Sequence, residues 1–199
     1  MEKEIQLIRL SEERTIAFKE EMQEAFQHGF QAYNKDDSED SNQWQVLPDE
    51  DFYQSLRAEG AEAYEAVDAD GQRVGGAIIT IDNSMNSGEL AFLYVKVGVQ
   101  SKGIGQTIWK GIETMHPEVE VWETCTPYFD RRNIHFYINR CGFHAVEFFN
   151  EHHPDPHMPE QLTEQRGPSS ELERPSRDGR RRSQFDREDG LFKFEKRMK

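Results

Sequence analysis

The sequence predicts an α/β (α+β) fold with a mixed central sheet and flanking helices, and three stretches carry that expectation. Residues 95–105 run from the β-branched positions Val95, Val97 and Val99 straight into a glycine turn that opens a helix. In that helix Ile104, Ile108, Ile112 and Met115 recur at spacings of four, four and three, forming one apolar stripe until Pro117 stops it. Residues 63–67 and 73–81 bracket Asp70-Gly71, the signature of an antiparallel hairpin. Residues 119–126 form the strand after the helix, and a strand–helix–strand crossover returns it parallel to the one before.

From the beginning of the chain, residues 5–9 alternate as a strand. Ser11 caps a helix whose apolar residues Phe18, Met22, Ala25, Phe26 and Phe30 follow helical spacing, closed by Gly29 or Asn34. Residues 34–43 are an acidic, serine-rich loop. Pro48 with Asp49, Glu50 and Asp51 favours a second, short helix that turns Phe52, Tyr53 and Leu56 inward and ends at Gly60. Gly75-Gly76 within the hairpin's second strand marks close approach by another backbone. Residues 89–97 form the strand leading into the glycine turn, and residues 143–149 another.

Between residues 154 and 190 the composition changes: five of the eight prolines fall here, with Met158, Leu162, Leu172 and Phe185 as the larger apolar residues. Such a stretch cannot build a core, so it reads as a flexible insertion. Residues 191–198 regain strand character and are placed to pair with 143–149 across it. The expected domain is therefore 1–153 plus 191–199.

With 199 residues the chain is long enough for one α/β domain with a real core. It carries 38 acidic and 24 basic residues, a formal net charge of −14. The acidity belongs to residues 1–153, which hold 28 acidic and 13 basic residues, whereas the insertion balances nine against seven. Such a surface argues against nucleic acid and anionic membranes, which clustered Lys and Arg recognise, and suits a cationic partner. Cys125 and Cys141 are too few for a disulfide framework and both read as core, consistent with a reduced, cytoplasmic protein. The first residues lack signal-peptide character and no apolar run approaches the ~20 residues needed to cross a bilayer. His152, His153 and His157 invite a metal reading, but the prolines between them break regular presentation and no cysteine accompanies them, so no metal is expected.

The turn Gln100-Ser101-Lys102-Gly103-Ile104-Gly105 is an anion-binding junction. Glycines let the backbone approach a phosphate, the unpaired amides of the helix start point at it, and Lys102 adds a charge. The dinucleotide pattern is excluded by Ile108 where a third glycine belongs, and the P-loop by the missing Gly-Lys-Ser/Thr.

Leu93, Val95, Gln100, Gly103 and Gly105 resemble the acetyl-CoA motif L-x-V-x-P-x-x-[QR]-x-x-G-x-[GA] of the GNAT superfamily of N-acetyltransferases, with Val97 at the family's frequent proline. Residues 133–143 look like the family's N-x-x-x-x-x-x-Y-x-x-x-G-F element, except that Tyr137 lies five residues before Gly142 where four is usual and Asn133 sits late, four residues before Tyr137. The resemblance implies a GNAT fold in which a splayed parallel strand pair binds acetyl-CoA as co-substrate. The freed backbone of Val95 and Val97 would hold the pantetheine arm, and Gln100, Lys102, Gly103, Ile104, Gly105 and Gln106 the pyrophosphate. Asn133 would either bond the cofactor arm or begin a helix. Tyr137 would either donate a proton to the departing thiolate, its usual pKa of ~10 being near a thiol's ~8.5, or pack beside Phe136.

For the base, strand parity places Glu123 beside Val119, Val121 and Cys125, where desolvation would raise its pKa; the alternative is a pair with Arg131 or Arg132. Glu89 is the second choice, and water relays serve many members of the family. Trp122, Tyr128 and Phe129 either line an acceptor pocket or pack in the core. The expected activity is acetyl transfer to the primary amine of a small cationic acceptor by direct transfer in a ternary complex. The competing expectation is a non-catalytic acetyl-CoA sensor. Dimers are common in such folds, so a homodimer is the assembly the resemblance implies.

Overall fold

The computed structural model describes residues 5–33, 46–99, 103–128, 130–150, 152–153 and 190–198. Its strands are β1 (Ile5–Arg9), β2 (Ala61–Asp68), β3 (Arg73–Asp82), β4 (Ser87–Val95), β5 (Val121–Pro127), β6 (His144–Phe149) and β7 (Leu191–Arg197). They form one sheet in the order β1-β2-β3-β4-β5-β7-β6. Helices α1 (Thr15–Tyr33), α2 (Asp49–Arg57), α3 (Ile104–Met115) and α4 (Arg131–Phe136) flank it. The pairings are antiparallel except β4–β5, whose strands run parallel because α3 carries the chain back between them. The mixed α/β sheet predicted from the sequence is therefore the fold observed. Among the described residues, no helix is long and apolar enough to cross a membrane.

Each face of the sheet has its own cover. On one, Ile104, Ile108, Trp109 and Ile112 of α3 pack against Ala77, Ile79, Leu90, Leu93 and Val95. Trp109 completes the stripe, whereas Met115, at the last position of the helix, is 44% exposed. On the other face Phe18, Met22 and Ala25 of α1 and Phe52 of α2 close over Ala63, Ile78, Phe92 and Tyr94. Helix α1 follows a single 3-10 turn at Glu12–Arg14 and continues through Gly29 to Tyr33; Asn34 and the acidic loop lie outside the described residues. Burying a phenylalanine such as Phe18 or Phe52 contributes about 1.5–3 kcal/mol, so these anchors dominate the docking of the two helices.

The Asp70-Gly71 hairpin forms as its sequence predicts: the Asp68 carboxylate accepts from the amides of Asp70 (3.1 Å) and Gln72 (2.9 Å). At the double glycine in β3 a side-chain ring comes close, as well as the neighbouring strand's backbone. A Cβ on Gly76 would sit 2.5 Å from the Phe18 ring and 2.5 Å from the Tyr64 carbonyl oxygen, so the missing side chain lets α1 lie close to the sheet.

In β4 the register against β3 passes from Ile78↔Phe92 to Ile79↔Leu90, which makes Ala91 an extra residue, a β-bulge. The bulge exchanges the faces of the strand. Leu90, Leu93 and Val95 therefore point to α3, while Ala91, Phe92 and Tyr94 point to α1 and α2. The strand stops at Val95, two residues short of its predicted end, and Val97 lies in the following turn with its side chain against the α1–α2 face. Strand β7 inserts between β5 and β6, so the pairing foreseen with 143–149 is present together with a second one to β5.

Gly76→Ala is expected to lower stability by about 1–3 kcal/mol through overpacking against Phe18. A urea-unfolding midpoint equal to that of the native protein would contradict the close seat of α1.

Candidate active site

Strands β4 and β5 pair over only three positions, Ser87↔Val121, Gly88↔Trp122 and Glu89↔Glu123. Beyond them β5 stays with β7 to Pro127, while β4, turned by its bulge at Ala91, stays with β3 to Val95. The two therefore part. Trp122 lies over Gly88 at the last paired turn, where a Cβ would come within 2.5 Å of the indole. Just past it the Thr124 hydroxyl donates to the Leu90 carbonyl at 2.8 Å, a side-chain bridge where the ladder has ended. Hydrogen-bonding groups of successive residues in a strand point to opposite edges. Because the Lys96 amide donates to Val74 at 2.9 Å, that of Val95 points into the gap left by β5.

Gly103 precedes α3 with φ 108°, a conformation that side-chain-bearing residues rarely adopt, and makes no side-chain cap. The first helical bond runs from the Thr107 amide to the Gly103 carbonyl, 2.8 Å, which leaves the amides of Ile104, Gly105 and Gln106 without intrahelical acceptors. The Ile104 side chain is buried in the core, so its amide is what it offers. Gly105 faces Phe136 of α4 and Val95 of β4, where a Cβ would stand 3.2 Å and 3.5 Å away. The Gln106 side chain donates to the Arg140 carbonyl at 2.8 Å and ties α3 to the segment after α4. Gln100 and Lys102 lie outside the described residues.

Helix α4 continues into a π-helical turn at Tyr137–Cys141, in which the amides of Gly142 and Phe143 both reach the Tyr137 carbonyl. The five-residue spacing noted in the sequence is thereby absorbed. One residue rotates an α-helical side chain by about 100°, and a widened turn accommodates the extra residue without that rotation. Tyr137 is buried among Phe136, Phe143 and Phe194, while Ile138 is 41% exposed. Burial pushes the Tyr137 phenol well above its ordinary range, opposed by its hydrogen bond with Thr124, the residue that bridges to β4. The phenol thus stands behind the point where the strands part. Asn133 does not begin the helix: Asp130 is the cap, accepting from the Asn133 amide at 2.9 Å and from its side-chain nitrogen at 2.7 Å. Burial raises the Asp130 carboxyl, and the Asn133 amide opposes this.

The environment expected for Glu123 is corrected. Trp122, Thr124 and Thr126 are the buried residues of β5, whereas Glu123 points to the opposite face and pairs with Lys193 at 2.8 Å. Lys193 is raised by that hydrogen bond. The parity was misread because Val121 and Cys125 suggest the core while two threonines occupy it. Cys125 is accordingly exposed, and Cys141 alone is core, its thiol pushed up to about 12 by burial. Glu89 and Glu123 are cross-strand neighbours at the last paired position, so both stand where the gap opens. Trp122 is core and Tyr128 is exposed; Phe129 lies outside the described residues. His153 stacks on Phe149 and meets Glu147 at 2.8 Å, and His157 lies outside the described residues. Among the described residues no three His, Cys, Asp or Glu side chains are grouped to hold a metal ion. Sequence reading missed Thr124, Asp130 and Lys193; the Asp-x-x-Asn spacing before α4 was the available sign of the cap.

Residues 18–143 match the acetyltransferase (GNAT) family, and the chain belongs to it. The Bacillus subtilis (strain 168) protein YrkN is 48% identical over 113 residues, an alignment covering 57% of this chain and 60% of that protein. The fold is similar to that of PaiA N-acetyltransferase from Thermoplasma acidophilum in complex with coenzyme A, with TM-score 0.58 and 18% identity over 98% of this chain and 99% of that one. It is also similar to spermidine N-acetyltransferase from Vibrio cholerae in complex with coenzyme A and spermine, with TM-score 0.58 and 12% identity over 97% and 95%.

Asp130→Ala is expected to cost about 1 kcal/mol through loss of the helix cap. Asp130→Asn, which keeps an acceptor, should recover most of that loss in the same thermal-melting series.

Proposed function

We propose that this chain is an N-acetyltransferase that moves an acetyl group from acetyl-CoA to the primary amine of a small cationic acceptor, directly, within a ternary complex. The observation that carries the reading is the parting of β4 from β5 beside an uncapped helix start. The gap offers the Val95 amide to an extended amide-bearing arm, and the Ile104, Gly105 and Gln106 amides to a diphosphate. Gln100 and Lys102 would add to the diphosphate site. When bound, acetyl-CoA supplies the activated acyl group.

In the transfer the amine nitrogen bonds the acetyl carbon, the carbon–sulfur bond breaks, and the amine releases a proton. Tyr137, a phenol protonated at neutral pH and held so by burial well into alkaline pH, is assigned to return a proton to the sulfur. Glu89 and Glu123 stand at the apex of the gap, where one of them or a water held there receives the amine's proton; the 2.8 Å pair with Lys193 orients Glu123. Support for a cationic acceptor comes from the net charge of −14, from this carboxylate pair, and from the fold shared with an enzyme that acts on spermidine.

A thiol-release assay with acetyl-CoA and a panel of amines tests the reading. Release stimulated by polyamines or similar amines is expected. Coenzyme A binding with no stimulated release by any amine would identify a sensor instead. Tyr137→Phe should lower the melting temperature by no more than one lost hydrogen bond, about 1 kcal/mol, and keep its KM for acetyl-CoA while kcat falls by about 10²-fold. With the phenol raised, kcat of the native enzyme should show no loss from Tyr137 ionisation below pH of about 10.

A further inference from the structure

A chain of charges runs beneath α1 on the sheet face opposite α3, and the transfer chemistry makes no use of it. Its base is one row of cross-strand neighbours, Glu65 on β2, Gly76 on β3 and Tyr94 on β4. Glu65, 5% exposed at its side chain, accepts from Arg14 at 3.0 Å and from Arg73 at 2.9 Å. Arg14 reaches Glu21, two helical turns further along, at 3.5 Å. Glu21 then binds the end of β4: one carboxylate oxygen accepts from the Lys96 ammonium at 3.0 Å and the other from the Tyr94 phenol at 3.2 Å. The Tyr94 phenol is raised well above its usual range, first by burial and then by the charge of Glu21, so it stays a donor.

The position of Lys96 gives this chain of charges a use. Lys96 is the first residue after β4, its amide makes the last bond to β3, which turns the amide of Val95 just before it to the gap, and its carbonyl accepts from the Val99 amide to close a turn. Holding its ammonium therefore fixes where the strand ends and the turn begins. We infer that Glu21 is a positioning residue: acting through Lys96 and Tyr94, it fixes the end of β4 and with it the Val95 amide that faces the arm of coenzyme A, coupling α1 to cofactor affinity. This rests on the coenzyme A reading above.

Isothermal calorimetry with coenzyme A, run on the full chain, tests it. Glu21→Gln and Lys96→Met should each weaken binding by roughly three- to tenfold. The double variant should lose no more than the worse single one, because both remove the same link. In steady-state transfer the loss should fall on KM for acetyl-CoA, with kcat retained. Lys19→Met, which breaks the 2.6 Å pair between α1 and Asp49, is the structural control and should lower the melting temperature without changing coenzyme affinity. Native-like or tighter binding by Glu21→Gln and Lys96→Met would overturn the inference alone, even if both melt lower. Absence of binding by the native protein would overturn the coenzyme reading and the inference with it.

Discussion

One extra residue in β4 sets the geometry on which the site depends. A regular strand would continue its ladder with both neighbours, leaving no backbone amide for a ligand. The bulge at Ala91 comes two residues after the last β4–β5 pair, increases the local twist, and sends the strand's remaining hydrogen bonds to β3. It also reassigns the faces: without it, Leu93 and Val95 would point to α1 rather than α3, and both cores would lose their fit. The gap and the two-sided packing are thus a single solution.

The π-helical turn at Tyr137–Cys141 shows the same economy. An inserted residue normally costs a helix its register, since every side chain beyond it moves around the axis. Here the widened turn takes up the insertion between Tyr137 and Gly142, and the aromatic contacts of Tyr137 with Phe136, Phe143 and Phe194 hold it. Thr124 links that phenol to the Leu90 carbonyl, so the helix after β5 and the edge of β4 meet through one hydroxyl.

Much of this was legible in the sequence. The hairpin, the order of elements, the glycine turn and the late pairing with 143–149 follow from local chemistry: Asp-Gly at a turn, apolar periodicity, Pro117 after a helix. What stayed hidden was the parity of β5. Alternation is read from hydrophobicity, yet the inward positions hold Thr124 and Thr126 while Val121 and Cys125 stand outside them, which sent Glu123 to the wrong face. The splaying of this strand follows only from the family resemblance; nothing in Leu90-Ala91-Phe92 marks the extra residue. Long-range charge pairs such as Glu123–Lys193 and Glu21–Lys96 join residues far apart in sequence, which spacing rules cannot reach.

The seat of β7 constrains how the molecule comes together. A strand encoded near the end of the chain occupies an interior place, flanked by β5 on one side and β6 on the other. Until it arrives, β5 lacks the partner that draws it away from β4, and β6 lacks the neighbour it has in the sheet order among the described residues. Bringing residue 191 back beside residue 149 closes a loop of about 40 residues, an entropic cost met before any of those contacts form. The parting of β5 from β4 therefore depends on a contact between segments far apart in sequence, rather than only on the local motifs that announce it.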